Sequence, residues 1–234
     1  MISFIVPAYN EERLLGATLD AIRAAAEGLD QSYELVVVDD ASTDRTASIA
    51  EAHGARVVSV DHRQIAATRN SGAREARGET FIFVDADTVV DEDVVRGAIE
   101  ALRDGAVGGG AAVAFDGVVP LYARLLLPVF IWFFRTARLA AGCFLFSTRG
   151  AFVAAGGFDE TFFGAEELVM SQALKRQGKF VVLRQTVTTS GRKLRTHTPR
   201  EMLMVIGRLV LHGRQAIKQR QGMELWYAER REEP

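Results

Sequence analysis

Cysteine is almost missing from this chain: one residue, Cys143, in 234. A single cysteine excludes a disulfide frame and any cysteine-based metal centre, and its place in an apolar run marks it as a buried thiol. Charge of one sign is also missing. A net charge of −2 and a pI near 6.1 exclude the general basic surface that nucleic-acid binding needs. The first residues, MISFIVPAYNEE, lack the basic stretch and long apolar core of a secretory leader, so a cytoplasmic setting is expected. No apolar run reaches the roughly twenty residues that span a bilayer. The most apolar stretch, residues 119–134, is shorter and interrupted by Arg124 and Pro128. It reads as a helix packed on the core, with an exposed lipid-touching surface as the alternative. Also missing are a G-x-G-x-x-G after the first strand, which argues against a dinucleotide site, and a G-x-x-x-x-G-K-[ST] phosphate loop.

What is present is order. Hydrophobic residues make up 48% of the chain and charged residues 25%, enough apolar material for one large globular domain. Apolar β-rich runs at Ser3–Val6, Tyr33–Val38, Arg56–Val60 and Phe81–Val84 alternate with amphipathic or capped helical stretches. Pro7 is read as ending the first strand. Asn10, Glu11 and Glu12 would open the helix that runs to Ala26. Ser42 and Thr43 would cap a helix to His53, Gln64–Ala76 forms a third, and Glu92–Arg103 a fourth. Four strand–helix alternations in a hundred residues predict a doubly wound α/β sheet with right-handed crossovers. Beyond it come a strand over 105–115 that contains a glycine triplet at 108–110 before an alternating run, a strand near 142–147, a helix over 168–177 and two short strands at 180–183 and 187–189. Pro199 would open a last helix, whose stripe from Met202 to Ile217 is apolar and whose other face is basic. Such a helix can lie on an anionic membrane or pack against its own domain or a second subunit.

Two strands end in paired acids. Tyr33–Val38 leads into Asp39 and Asp40, and Phe81–Val84 into Asp85 and Asp87, with Ala86 between. Ligands of open α/β sheets bind beyond the carboxyl ends of strands, so these acids converge on the expected edge. An extended D-x-D can hold a hard divalent cation that bridges to a diphosphate. Ala86 adds no bulk where a flat ribose or base would approach.

Six stretches now stand in order: IVPAYNEE (5–12), VVVDDASTDRT (36–46), ATRNSGAREARGE (67–79), FVDADT (83–88), GGFDE (156–160) and AEEL (165–168). Together they resemble the family-2 glycosyltransferases of the GT-A, nucleotide-diphospho-sugar transferase fold, over about residues 3–195. The resemblance implies a GT-A (Rossmann-like), mostly parallel central sheet flanked by helices. It implies a domain over 1–198, with a nucleotide-sugar half over 1–117 and an acceptor half over 118–198, followed by a C-terminal helix and tail over 199–234. The implied reaction is transfer of one sugar from a nucleotide-diphosphate sugar, a UDP- or GDP-sugar, to an acceptor hydroxyl, with inversion. Pro7, Ala8, Tyr9 and Glu11 would line the nucleoside pocket, Asp39 or Asp40 would bond the base, and Arg69 and Asp85 would lie by base and ribose. Asp87, helped by His197, would hold Mg2+ or Mn2+, while Arg192 or Lys193 would meet the diphosphate. The family's general base is the second acid of a Glu-Asp pair. Here that place reads Glu166-Glu167, so the role falls on Glu167 with Glu166 as the fallback. Processive members carry Q-x-x-R-W, absent here, which implies one sugar per encounter. The implied acceptor can be lipid-linked and the enzyme peripheral on the inner membrane face, and the last helix can serve a homodimer. Two rivals remain: a sugar-nucleotide pyrophosphorylase, which lacks its Gly-rich loop and lysine here, and a degenerate domain that binds nucleotide or lipid without turnover.

Overall fold

Alternating apolar strands and amphipathic helices can bury both faces of a sheet only as a three-layer sandwich, and the computed structural model has that form. It describes residues 1–29, 31–196 and 201. The elements are β1 (Ile2–Ala8), α1 (Leu15–Glu27), β2 (Tyr33–Asp40), α2 (Thr46–Ala52), β3 (Arg56–Val60), α3 (Ile65–Glu75), β4 (Thr80–Val84), β5 (Thr88–Val89), α4 (Glu92–Arg103), β6 (Ala106–Phe115), α5 (Leu121–Ala137), β7 (Phe144–Thr148), α6 (Arg149–Ala154), α7 (Glu166–Gln177), β8 (Lys179–Thr189) and α8 (Arg192–Thr196). One sheet holds all described strands in the order β3-β2-β1-β4-β7-β6-β8-β5. The pairs among β1, β2, β3 and β4 are parallel, β7 runs antiparallel to both β4 and β6, and β6 is parallel to β8. The sheet is therefore mixed, parallel through the first four strands.

Alternate residues of each central strand serve opposite layers. Phe4 and Val6 join Leu15, Leu19, Val94 and Val95 under α1 and α4, while Ile5 joins Val36, Val38, Ala66 and Phe83 on the other side. The second layer sits close to the sheet because Gly72 of α3 has no side chain: a Cβ there would collide with Ile5 and Val38. The glycine triplet does the same for β6, where a Cβ on Gly109 would run into the Phe146 ring and the Val181 carbonyl.

Several expectations need correction. Pro7 does not end β1; the strand continues to Ala8, paired with β2, while its ladder with β4 stops at Ile5. A strand with a neighbour on one side only tolerates a proline. Asn10–Glu12 do not open α1, which begins a turn later at Leu15 without a side-chain cap. Their amides instead bond Ser42, Thr46 and Asp44, tying the β1–α1 loop to the β2–α2 loop. Residues 180–189 form one strand, β8, with a register irregularity opposite Gly110 and Ala112. The elements β5, α6 and α8 were not foreseen. The largest departure is α5. Of its residues only Ala123 is buried, and Leu125, Val129, Trp132 and Phe133 are more than half exposed, so this helix is not core. Among the described residues no helix is long and apolar enough to cross a membrane. His197 and the basic amphipathic stretch after Pro199 lie outside the described residues.

Candidate active site

At the end of β4 the chain turns sharply. Asp85 donates its amide to the Cys143 carbonyl (3.1 Å), and the Thr88 amide returns to the Asp85 carbonyl (3.0 Å). The next two residues, β5, pair with the last two of β8. Asp87 is fixed between them: its carbonyl accepts from the Ser190 amide (3.1 Å) and its carboxylate from Thr189 Oγ1 (3.3 Å). Ala86 does not face a ligand. It is buried at 3% exposure, and its carbonyl accepts from Thr18 Oγ1 of α1 (3.0 Å). Burial, with Glu11 and Asp85 nearby, pushes the Asp87 carboxyl up from 3.8 to about 6, against the opposing pull of Lys193 and Arg192.

Arg69 stands on α3 beneath this turn and is 1% exposed. Nη1 donates to Glu166 (2.6 Å), and Nη2 to Asp85 (2.7 Å) and the Gly142 carbonyl (2.8 Å). Its guanidinium also lies over the Phe158 ring, 5.3 Å from the centroid. Burial alone would lower its pKa, but Asp85 and Glu166 outweigh burial and raise it, so it stays charged. Arg69 is thus not placed against a base or ribose. It is the tie between the D-x-D turn and the Glu-Glu pair. The next residue, Asn70, holds the GGFDE turn, donating to the Phe158 carbonyl (2.8 Å) and accepting from the Phe158 amide (2.9 Å).

The Glu-Glu pair divides in two. Glu166 is buried and paired with Arg69. Glu167, next along α7, has no ion-pair partner among the described contacts, and burial together with Glu166 pushes its carboxyl up to about 8 despite Arg69. Gly142 leaves room for it: a Cβ there would stand 3.2 Å from the Glu167 carboxyl carbon and 3.3 Å from one oxygen. Ala165, before the pair, holds a left-handed φ of 54° that a non-glycine residue rarely adopts. Sequence reasoning overlooked Gly142 and treated Cys143 only as a core thiol. Cys143 is indeed buried, but both residues act here through carbonyls, which residue type does not reveal.

The paired acids after β2 also divide. Asp40 accepts from four donors: the amides of His62 (2.6 Å), Arg63 (2.9 Å) and Gln64 (3.2 Å) and the hydroxyl of Thr68 (2.8 Å). It organises the β3–α3 loop. Asp39 is equally buried, yet its Oδ1 has no hydrogen-bond partner among the described residues. A buried carboxylate oxygen without a donor is costly unless a ligand supplies one. Pro7 and Ala8 are buried within β1, while Tyr9 is 39% exposed under the Arg63 guanidinium, 4.5 Å from its ring centroid. Arg192 reaches back from α8 to Glu11 (3.5 Å) and Asp87 (3.9 Å). Pro7, Ala8, Tyr9, Glu11, Asp39, Asp85, Asp87 and Arg192 therefore share one end of the sheet, and the Glu-Glu pair joins them through Arg69.

Among the described residues no group of three or more His, Cys, Asp or Glu side chains is arranged to hold a metal. A divalent cation bound by one or two carboxylates and completed by substrate phosphates needs no such cage. Burial comes first in raising the Asp87 carboxyl, and Glu11 and Asp85 add negative charge beside it; carboxylate oxygens of this kind suit a hard divalent cation.

Known proteins carry the same framework. A dolichol-phosphate mannosyltransferase of Pyrococcus furiosus is 31% identical over 134 residues, 53% of this chain and 38% of that protein. An undecaprenyl-phosphate 4-deoxy-4-formamido-L-arabinose transferase of Aeromonas hydrophila is 32% identical over 113 residues, 45% of this chain and 34% of that one. The matched region thus spans little more than a third of these relatives. Among solved structures, a mannosyltransferase from Pyrobaculum calidifontis in complex with GDP-Man and Mn2+ superposes with a TM-score of 0.67 at 22% identity, covering 93% of this chain and 64% of that one; this likeness establishes the GT-A fold. The sequence model of glycosyl transferase family 2 matches residues 3–157, about two thirds of the chain. The chain belongs to glycosyl transferase family 2.

Proposed function

We propose that this chain transfers a single sugar from a nucleotide-diphosphate donor to an acceptor hydroxyl, with inversion, and that Glu167 is the general base. The observation that carries this reading is the division of labour around Arg69. Asp85 and Glu166 are held by one buried guanidinium, while Glu167 has no ion-pair partner among the described contacts and its carboxyl is raised to about 8, so that its ionised form is a stronger proton acceptor than an ordinary carboxylate.

The donor's base docks by the ends of β1 and β2, where Asp39 Oδ1 accepts an N–H from its edge, and Tyr9 and Glu11 border the nucleoside. Asp87 would hold Mg2+ or Mn2+ against the diphosphate, and the bound cation would supply Lewis-acid stabilisation of the leaving charge. Arg192 adds positive charge from the other side, and His197, outside the described residues, is a further candidate ligand. Glu167 takes the acceptor hydroxyl proton as that oxygen bonds to the anomeric carbon. The carbon–oxygen bond to the diphosphate breaks, and its electron pair leaves with the nucleotide. UDP- and GDP-sugars are the donor classes to test first. The curated relatives are named for polyprenyl phosphates, which favours a lipid-borne acceptor and a place at the inner membrane face; where that acceptor ends in a phosphate, its oxygen is already ionised and attacks without Glu167.

The test is a thermal-shift panel of UDP, GDP and their sugars with and without Mn2+, run on the wild type and Asp87→Ala, followed by assay of nucleotide release. A nucleotide that raises the midpoint only with metal is expected, and the effect should vanish in Asp87→Ala. An unchanged metal-dependent shift in the variant removes Asp87 from the role. Binding with no release of nucleoside diphosphate for any donor and acceptor would instead favour a domain that binds without turnover.

A further inference from the structure

We infer that α5 is a surface-docking helix that seats the protein on an anionic lipid bilayer, with its axis along the membrane. This deepens the proposed lipid-side location by naming the surface, and it rests on α5 rather than on the catalytic residues.

The argument starts from the helix's composition. Leu121, Leu125, Val129 and Trp132 follow one another at helical spacing and are 70%, 68%, 59% and 66% exposed. Leu126, Phe130 and Phe133 form an adjoining row at 39%, 42% and 52%. Val118, just before the helix, is 82% exposed and extends the patch. Exposed apolar side chains gathered in two rows along one helix of a globular domain mark an interaction site. At 17 residues the helix is about 26 Å long and broken by Pro128, so it can lie on a bilayer but not span it.

The charge pattern selects the partner. From residue 117 to residue 158 the sequence has no Asp or Glu, yet it has Arg124, Arg135, Arg138 and Arg149, in a chain whose net charge is −2. Arg124 and Arg138 are exposed at the flanks of the apolar rows, and Arg135 is tethered by donation to the Leu183 carbonyl (3.2 Å). Apolar rows with bulky aromatics and flanking arginines, without a single carboxylate, match the interface of a membrane with anionic headgroups. Position gives this surface a use. Five residues after α5 ends, Gly142 contributes its carbonyl to Arg69 and its open space to Glu167. A helix seated on lipid therefore brings the Glu167 side of the site to the bilayer surface.

The chain has two tryptophans, Trp132 and Trp226. The full-length Trp226→Phe protein, which reports Trp132 alone, is mixed with phosphatidylcholine vesicles with and without phosphatidylglycerol. The expected results are co-sedimentation and a blue shift of Trp132 emission that both require phosphatidylglycerol. Phe133→Ser should weaken partitioning about tenfold and Arg124→Gln about fivefold, while Val153→Ser, an exposed apolar residue on α6, should change nothing. Nucleotide-sugar binding measured in the same samples without vesicles should be unaffected in all variants. Lost vesicle binding with intact donor binding in the α5 variants supports the docking helix, whatever becomes of the catalytic proposal. Absence of vesicle binding in the parent overturns it. So does Trp132 emission that is already blue without lipid: if concentration-dependent it means a second copy covers α5, and if not, another part of the chain does.

Discussion

Replacing Arg69 with methionine removes the charge that joins the two acidic motifs while keeping an apolar stem over Phe158. Two carboxylates lose their partner, but unequally. The Glu166 side chain is 5% exposed and the Asp85 side chain 28%, so water can re-solvate much of Asp85 and almost none of Glu166. Breaking one partner out of a buried ion pair costs roughly 3–5 kcal/mol, because the remaining charge stays buried. For a domain of this size each kcal/mol moves the melting midpoint by roughly 2–4 °C, so Arg69→Met should melt about 6–20 °C lower. Urea unfolding at neutral pH, checked by calorimetry, measures the loss. The double variant Arg69→Met/Glu166→Gln removes the stranded charge and should recover at least half of it, a coupling that independent sites would not show. A loss below about 1 kcal/mol in the single variant, or strictly additive losses in the double, would refute the view that Arg69 holds these two motifs together.

Glu167→Gln should leave donor affinity intact and lower kcat by about a hundredfold or more, since an amide accepts no proton; retained turnover would place the base elsewhere. In the wild type, kcat/KM should rise with pH to a midpoint near 8, as the base form of Glu167 appears. The same carboxyl titrates higher folded than its ordinary 4.5, so the stability it contributes is complete below about pH 4.5 and is lost as pH rises through about 8; urea midpoints should show that slope flattened in Glu167→Gln. Asp39→Asn should weaken nucleotide binding without lowering the unfolding midpoint, whereas Asp40→Asn, with four donors disturbed, should cost roughly 2–3 kcal/mol of stability. Gly142→Ala would force the Glu167 carboxyl aside by a few tenths of an ångström, so kcat should drop about tenfold with donor KM unchanged in steady-state assays.

The sheet strands from β1 to β4 and the helices α3 and α4 follow from periodicity, because each is a run of one period bounded by its own stop signals, even β3, which lies at the sheet edge with no buried residue. The structure gathers the motifs at one end of the sheet. What the motifs do individually was less legible. Asp39 and Asp40 are identical in the sequence, and only the positions of His62, Arg63, Gln64 and Thr68 separate a loop organiser from an acid with an open oxygen. Arg69 looks like a ligand residue until Glu166, 97 positions away, is found against it. In the same way α5 reads as core because its composition is that of a core helix. Nothing local announces that the sheet supplies no face to cover it. Residue type records what a side chain can do; the partners that select among those uses come from topology.

The last strand carries a consequence for biosynthesis. Until β8 is seated between β6 and β5, Asp87 has neither the Ser190 amide nor the Thr189 hydroxyl, and the chain that leads to Arg192 is not yet in place. A ribosome that has released the D-x-D turn must translate a further hundred residues before this frame can close. Nascent and truncated chains are therefore left with an unframed Asp87 and, on the proposed reading, without a complete donor site.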